Sequence, residues 1–404
     1  EEICLSNPCS SVMRTYVTHL ECSFTGKHYT ADRLHGLSDD GAPLLIRYDL
    51  QKIGAELQRS AIGERTGDMW MWQELLPLDA DIYRVTLGEN ITPLVPIDLG
   101  PKHGKGHTLI KDEGRLPTGS FKARGMAMAI SMARHFGRME LVVPTAGNAG
   151  AAAAAYGAAA GMQVHVFTPD DTPEITLREI AFFGGQTHRV DGLIDTCGEF
   201  ARAAAAEHGW HNLATLAEPY RLEGKKTIGL ELALQFDWSL PDIIYYPTGG
   251  GTGFIGMWKA FGELRELDWI GTKLPRMVSV QTHGCSPIKK AFDAGQADVQ
   301  EAFNPITTLV PGVRVPKPLG GRLIIDVLRA SNGHATDVSD EAVFKCHTEA
   351  AQDHGIHLCL EGAACLAAYR EDLAAGRVSQ DETAVIFNTA TGYKWPLPEV
   401  SALL

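Results

Sequence analysis

No uninterrupted apolar run in the chain is long enough to span a bilayer, which argues against a helical membrane protein. The longest weakly polar stretch, Ala149 to Gly161, is rich in Ala and Gly and reads as a packed helix. No basic segment followed by an apolar core opens the chain, so no secretory signal is expected and a cytoplasmic location is. The 8 cysteines are Cys4, Cys9, Cys22, Cys197, Cys285, Cys346, Cys359 and Cys365. No two share C-x-x-C spacing, so no zinc or iron–sulfur site, and no metal at all, is expected. Scattered over a long chain, they read as reduced and mostly buried thiols. Positive charge is also scarce: 36 Lys and Arg against 49 Asp and Glu give a net charge of -13. That excludes nucleic acid and anionic membrane as main partners, and an anionic small substrate would need a local basic site. There is no internal repeat and no low-complexity linker.

What is present is globular. The 404 residues leave room for two or more domains. Residues 1 to about 88 are expected to form an arm, with strand-like runs at 16–22 and 44–48 and a turn with a returning strand over 24–29. Asp49 to Arg59 is a short helix candidate, and Met69-Trp70-Met71-Trp72 an apolar cluster for a core or an interface. From Leu87 on, strands and helices alternate. Strands are expected at 108–113, 141–144, 163–167, 186–190, 243–246, 276–281 and 384–388. Helices are expected at 126–134, 149–161, 173–183, 194–208, 227–235, 253–264, 340–354 and 361–374. Such alternation predicts an α/β fold with parallel sheets.

Four stretches lie where strands end and helices begin, the usual place for chemistry in such folds. The first is Pro117-Thr118-Gly119-Ser120-Phe121-Lys122. A helix N-terminus disfavours an ammonium, so a lysine held there and partly desolvated titrates low and can act as a Schiff-base amine. Standing alone, it reads sooner as a solvated lysine beside a capping Ser120. The second is Thr145-Ala146-Gly147-Asn148, whose Asn148 offers a donor and an acceptor. The third is Thr248-Gly249-Gly250-Gly251-Thr252-Gly253, an anion cradle of the phosphate type opening a helix. It lacks the Gly-Lys-Ser/Thr of a Walker loop and the G-x-G-x-x-G of a dinucleotide site. The fourth is Asn388-Thr389-Ala390-Thr391-Gly392, whose hydroxyls could bond a ring nitrogen without carrying charge. An amine, a phosphate cradle, an amide and a neutral hydroxyl together match the needs of pyridoxal phosphate.

Pro117–Lys122, Gly147-Asn148 and Thr248–Thr252 resemble the motifs of fold-type II pyridoxal phosphate enzymes. Within them, Glu218-Pro219-Tyr220-Arg221-Leu222-Glu223-Gly224-Lys225-Lys226-Thr227, Glu361–Ala364 and Asn388–Pro396 resemble the threonine synthase family, over about Tyr16 to Pro396. The resemblance implies two domains with parallel-rich sheets flanked by helices, of the tryptophan synthase β type. Its expected layout is an arm at 1–88, a large cofactor domain at 89–124 and 219–404, and a smaller mobile domain at 125–218. It further implies a homodimer binding pyridoxal 5'-phosphate and a small, phosphorylated amino-acid substrate. By resemblance, Lys122 is the Schiff-base residue, Asn148 bonds the cofactor's 3′-oxygen, and Gly249, Gly250, Gly251 and Thr252 hold its phosphate. Thr389 contacts the pyridine nitrogen, with Thr391 as the fallback. Ser120 lies near the cofactor, and Arg221, helped by Lys226, binds the phosphate of O-phospho-L-homoserine. The implied activity is that of a carbon–oxygen lyase acting on this phosphate ester, forming threonine.

The chain departs from the family pattern in three places. Ala123 stands where many threonine synthases carry Asp, and Ala149 where many carry Thr. Cys22 has lost the mate it would have in the zinc-ribbon-like arm of relatives. A threonine or serine ammonia-lyase, or another β-replacing lyase, is the alternative; such an enzyme needs no second phosphate site at Arg221. A non-catalytic cofactor-binding protein is the alternative from another class. Arg314, Lys317 and Arg322, in the 284–332 segment, are further candidates for reaching an anion.

Overall fold

Fully apolar strands followed by helices need cover on both faces, and the chain supplies it with two parallel-rich sheets. The computed structural model describes residues 15–65, 67–99 and 108–396. Cys4 and Cys9 fall outside them.

The larger sheet has six strands in the order His334–Val338, Arg276–Thr282, Ile243–Pro247, Ala384–Asn388, Thr108–Asp112, Leu94–Pro96. Its pairs are parallel except the edge pair of Leu94–Pro96 with Thr108–Asp112. Every residue of Ile243–Pro247 and Ala384–Asn388 is buried, as a strand covered on both faces requires. The second sheet is all parallel, in the order Gln186–Val190, Gln163–Pro169, Glu140–Pro144, His211–Asn212. The arm is a three-stranded antiparallel sheet with Val17–Cys22 between His28–Tyr29 and Leu44–Tyr48. In Leu44–Tyr48 burial alternates, with Leu44, Ile46 and Tyr48 inward, the period-2 mark of a one-sided sheet. Met69, Trp70, Met71 and Trp72 form a buried 3₁₀ segment in the main core, where Trp72 meets Trp238 edge-on.

Helices end where their stop signals stand. Ile194–His208 stops at Gly209 and Asp340–His354 at Gly355, both left-handed with φ 73° and 67°. One helix starts earlier than its sequence predicts. It begins at Tyr220 rather than Thr227 and runs to Gln235. The Glu218 carboxylate accepts from the Tyr220 and Arg221 amides at 2.7 and 2.9 Å, supplying the partners that exposed helix N–H groups lack. Arg221 is therefore a first-turn helical residue.

This helix crosses Lys122–His135 at a glycine pair. A Cβ on Gly224 would stand 2.1 Å from the Arg124 carbonyl oxygen, and one on Gly125 3.1 Å from that of Arg221. Only glycine at 224 lets the backbones come this close. No helix among the described residues is long and apolar enough to cross a membrane. The six described cysteines are free and buried.

Candidate active site

The carboxyl ends of three neighbouring strands converge on Lys122. Thr108–Asp112 leads to the lysine turn, Ile243–Pro247 to the glycine loop, and Ala384–Asn388 to Thr389. The lysine turn is laced to the last loop through the backbone. Phe121 N–H donates to the Thr389 carbonyl at 2.9 Å, and Thr391 N–H to that of Gly119 at 2.8 Å. Thr118 and Gly119 take left-handed backbone, φ 59° and 63°, to make the bend. A Cβ on Gly119 would lie 2.7 Å from the Thr391 methyl, so this turn needs glycine.

Lys122 is the first residue of Lys122–His135, but Ser120 does not cap that helix; the cap position is Phe121, with no side-chain hydrogen bond. Ser120 is fully buried, and its Oγ has no partner among the described residues. The reading of a solvated lysine beside a capping serine is thus replaced. The Lys122 amine lies 4.1 Å from the centre of the Phe121 ring. Burial lowers its pKa from 10.5 to about 7, and Arg221 adds to the fall, while Glu361 and Cys359 oppose it. Burial leads this shift, whereas the sequence puts the helix end first.

Lys225 is a second lysine here that sequence reasoning missed. It is buried, lies 3.7 Å over the same Phe121 ring and donates to the Phe121 carbonyl. Burial, then Lys122 and Arg221, hold its pKa well below the usual lysine range. Residues 221 and 225, four apart on the helix, share a face. Lys226 lies one step round, and its ammonium sits 2.7 Å from Glu223 and 2.9 Å from Glu263, over the Tyr48 ring of the arm. The structure therefore does not bring Lys226 to Lys122 beside Arg221; helical phase selects Lys225 instead.

Arg221 is buried, with its Nη1 donating to the Leu213 carbonyl at 2.5 Å and to Thr215 Oγ1 at 3.3 Å. Its Nε has no partner among the described residues. Thr215 also packs under the glycine loop, where a Cβ on Gly250 would meet its methyl at 2.7 Å. In that loop a Cβ on Gly249 would stand 2.4 Å from the Gly312 carbonyl oxygen. Gly251 is left-handed, φ 74°, and precedes Thr252–Glu266, whose first N–H groups face outward from the helix end.

Asn148 is half-buried and opens Asn148–Ala160, with Gly147 at the cap position. Thr389 is buried, 3.8 Å from the Cys359 sulfur. Thr391 Oγ1 accepts from the Tyr393 amide, leaving Thr389 as the hydroxyl beside Cys359. Burial pushes the Cys359 thiol well up, so it stays protonated. Glu361, at the start of Leu360–Ala374, accepts from Gly312 N–H at 2.8 Å and bears on Lys122.

The three other cations are engaged elsewhere. Arg314 pairs with Asp171 at 3.2 Å, Lys317 donates to the Gln300 carbonyl at 3.0 Å, and Arg322 lies over Phe24. Behind Lys122, fully buried Arg124 pairs with Glu113 at 2.8 Å and Glu231 at 2.7 Å, and Lys111 pairs with Glu231. Nothing local in the sequence marks this network, since its partners lie 11 to 120 residues apart.

A half-buried, low-titrating lysine, a glycine cradle at a helix start and buried polar atoms of Thr118, Ser120, Tyr246 and Arg221 without partners among the described residues fit a phosphorylated aldehyde held covalently by its lysine. Fold and site thus define an α/β enzyme of the Schiff-base class. The family described as pyridoxal-phosphate dependent enzyme matches residues 85–390, and the chain belongs to it. The cofactor is pyridoxal phosphate. Threonine synthase of Methanocaldococcus jannaschii is 30% identical over 377 residues, 93% of this chain and 92% of that protein. Threonine synthase of Methanosarcina acetivorans is 31% identical over 383 residues, 94% and 92% of the two. Among solved structures, maize serine racemase has a TM-score of 0.65 at 20% identity, over 78% of this chain and 90% of that one. Threonine deaminase isoform 2 of Solanum lycopersicum, in its processed form, has a TM-score of 0.63 at 19% identity, over 81% and 91%. These two share the α/β fold of fold-type II enzymes.

Proposed function

We propose that this protein is a threonine synthase, converting O-phospho-L-homoserine and water to L-threonine and phosphate. The observation that carries the reading is Arg221, a buried guanidinium with an unpartnered Nε that bears directly on Lys122. The threonine synthases that match over most of the chain support it.

When bound, pyridoxal phosphate supplies an electron sink for charge developing on an amino acid's α-carbon. In this assignment Lys122 anchors it, and its Nζ, neutral above about pH 7, then takes and returns protons at the substrate carbons. The N–H groups of Gly249, Gly250, Gly251 and Thr252 hold the cofactor phosphate. Asn148 bonds the 3′-oxygen, and the Thr389 hydroxyl meets the ring nitrogen without adding charge. Arg221 Nε takes the substrate phosphate, and Ser120 Oγ serves the bound ligand as a neutral donor. Lys226, committed to Glu223 and Glu263, supports the fold instead.

A second reading is a threonine or serine ammonia-lyase. The feature that favours it is that Arg221 already spends Nη1 on Leu213 and Thr215, the contacts of a structural arginine. The deciding experiment compares phosphate and threonine release from O-phosphohomoserine with ketoacid release from threonine and serine. Ketoacid formation without phosphohomoserine turnover reverses the order of the two readings.

A further inference from the structure

The arm holds a side-chain cluster that takes no part in the site above. Val17–Cys22 and His28–Tyr29 pair antiparallel, with Glu21 directly opposite His28. Alternate residues of a strand share a face, and opposed residues on paired strands project to the same side. His19, Glu21 and His28 therefore meet on one face. His19 Nε2 and His28 Nε2 each lie 3.9 Å from Glu21 Oε2. The three donor atoms fall within 4.8 Å of one another, and the two rings stack with centroids 3.8 Å apart.

The surroundings aim these donors. Arg47 donates to Glu21 Oε1 at 2.7 Å, which turns the other carboxylate oxygen toward the histidines. Thr18 Oγ1 lies 2.9 Å from His19 Nδ1 and 3.2 Å from the Arg47 carbonyl. A carbonyl only accepts, so the hydroxyl proton goes to it and His19 Nδ1–H donates to the hydroxyl. That tautomer leaves a lone pair on His19 Nε2, a buried atom with no hydrogen-bond partner among the described residues.

We propose that His19, Glu21 and His28 form a binding site for a divalent transition metal of the zinc type. Two imidazoles and a carboxylate suit zinc and its neighbours in the first transition row, whereas calcium and magnesium take oxygen sets. Zinc bonds of about 2.0–2.1 Å in tetrahedral array place neighbouring donors roughly 3.3 Å apart. The 3.9 Å separations are closed by small shifts of partly exposed side chains. The exposed side of His28 leaves the fourth position to water. Arg47 and Thr18 are the outer partners that hold ligand direction. The sequence expectation of no metal rests on missing cysteine pairs; the folded ribbon assembles a different donor set. Cys22 lies on the other face, with its sulfur 3.3 Å from Ser38 Oγ.

The test is titration of chelator-treated, cofactor-loaded full-length protein with Zn²⁺ in competition with a chromophoric zinc indicator. One equivalent per chain is expected. His28→Ala, at an exposed position, is expected to weaken binding by more than about 100-fold, and Thr18→Val by about 10–100-fold as an outer-partner loss. Cys22→Ser is expected to change nothing, and X-ray absorption to show only nitrogen and oxygen neighbours. Circular dichroism of each variant separates lost binding from lost folding. The proposal is overturned by absent stoichiometric binding, by binding that survives both His28→Ala and Glu21→Gln, or by binding lost with Cys22→Ser.

Discussion

Gly224→Ala tests whether the crossing of Lys122–His135 with Tyr220–Gln235 sets the active site. The added Cβ would stand 2.1 Å from the Arg124 carbonyl oxygen, 2.7 Å from its carbon and 2.9 Å from Gly125 Cα. Relaxed carbon–oxygen contacts are about 3.3 Å or longer, so the helices must part by about 1 Å. All three obstacles are backbone, so no rotamer change relieves them. Overpacking of this kind costs about 1–3 kcal/mol, against which alanine's helix propensity returns roughly 1 kcal/mol. Arg221 and Lys225 ride on the displaced helix, and a shift of about 1 Å at reacting groups can cost on the order of 100-fold in rate. Gly262→Ala is the control. It lies inside Thr252–Glu266, where an added Cβ meets nothing within 4 Å, and it is expected to stabilise by up to about 1 kcal/mol. Thermal unfolding and kcat/KM on O-phosphohomoserine are measured for both. The expected pattern is a lower Tm and depressed turnover for Gly224→Ala alone. A Gly224→Ala protein as stable and as active as the parent would refute the reasoning.

Four further outcomes are expected. Lys122→Ala loses turnover and the yellow, borohydride-sensitive absorbance, while unchanged absorbance would place the Schiff-base amine elsewhere. The Lys122 amine is protonated below about pH 7 and neutral above it, so cofactor-free protein should recombine with pyridoxal phosphate faster as pH rises through about 7; stopped-flow rates climbing only near pH 10 would contradict this. Arg221→Ala raises KM for a phosphorylated substrate by about 10–100-fold, the worth of one charge-assisted hydrogen bond, and moves the Lys122 titration upward because a neighbouring cation is gone. Lys226→Met leaves two buried carboxylates with one cation fewer and costs about 3–5 kcal/mol in denaturant unfolding; if it instead raised KM with stability intact, Lys226 would belong with the substrate after all.

Most of the strand and helix order was legible because its signals are local, although the helices Pro287–Asp293 and Gly321–Ala330 and the strands Leu94–Pro96, His211–Asn212 and His334–Val338 were not foreseen. Gly209 and Gly355 stop their helices, and Ser339 caps Asp340–His354 by accepting from Ala342 N–H at 3.1 Å. The lysine turn, the glycine loop and the Thr389 loop were legible for the same reason, since each is a short stretch at a strand end. The early start at Tyr220 was not. Arg221, Glu223, Lys225 and Lys226 are a run of charges whose burial no local signal marks, and only distant partners reveal them as interior. Glu223 meets Lys259 at 2.9 Å and the Tyr48 hydroxyl at 2.7 Å, groups 36 and 175 residues away in sequence. The choice between Lys225 and Lys226 also needed the structure, because helical phase has no meaning until the helix start is known.

The ionic cluster behind Lys122 joins two cations, Lys111 and Arg124, to two carboxylates, Glu113 and Glu231. As a block it is neutral, and none of its members figures among the influences on the Lys122 amine. Its charges do reach nearer groups, but there they oppose each other: Glu113 and Arg124 bear in opposite senses on Lys225 and on the Tyr246 hydroxyl. Conversion of one carboxylate to an amide would leave an uncompensated cation behind the reactive amine, adding a field that only Arg221 now supplies. Changes at these four positions are therefore constrained to come in charge-balanced pairs, so that interior chemistry, rather than any contact with substrate, limits how this part of the chain can vary.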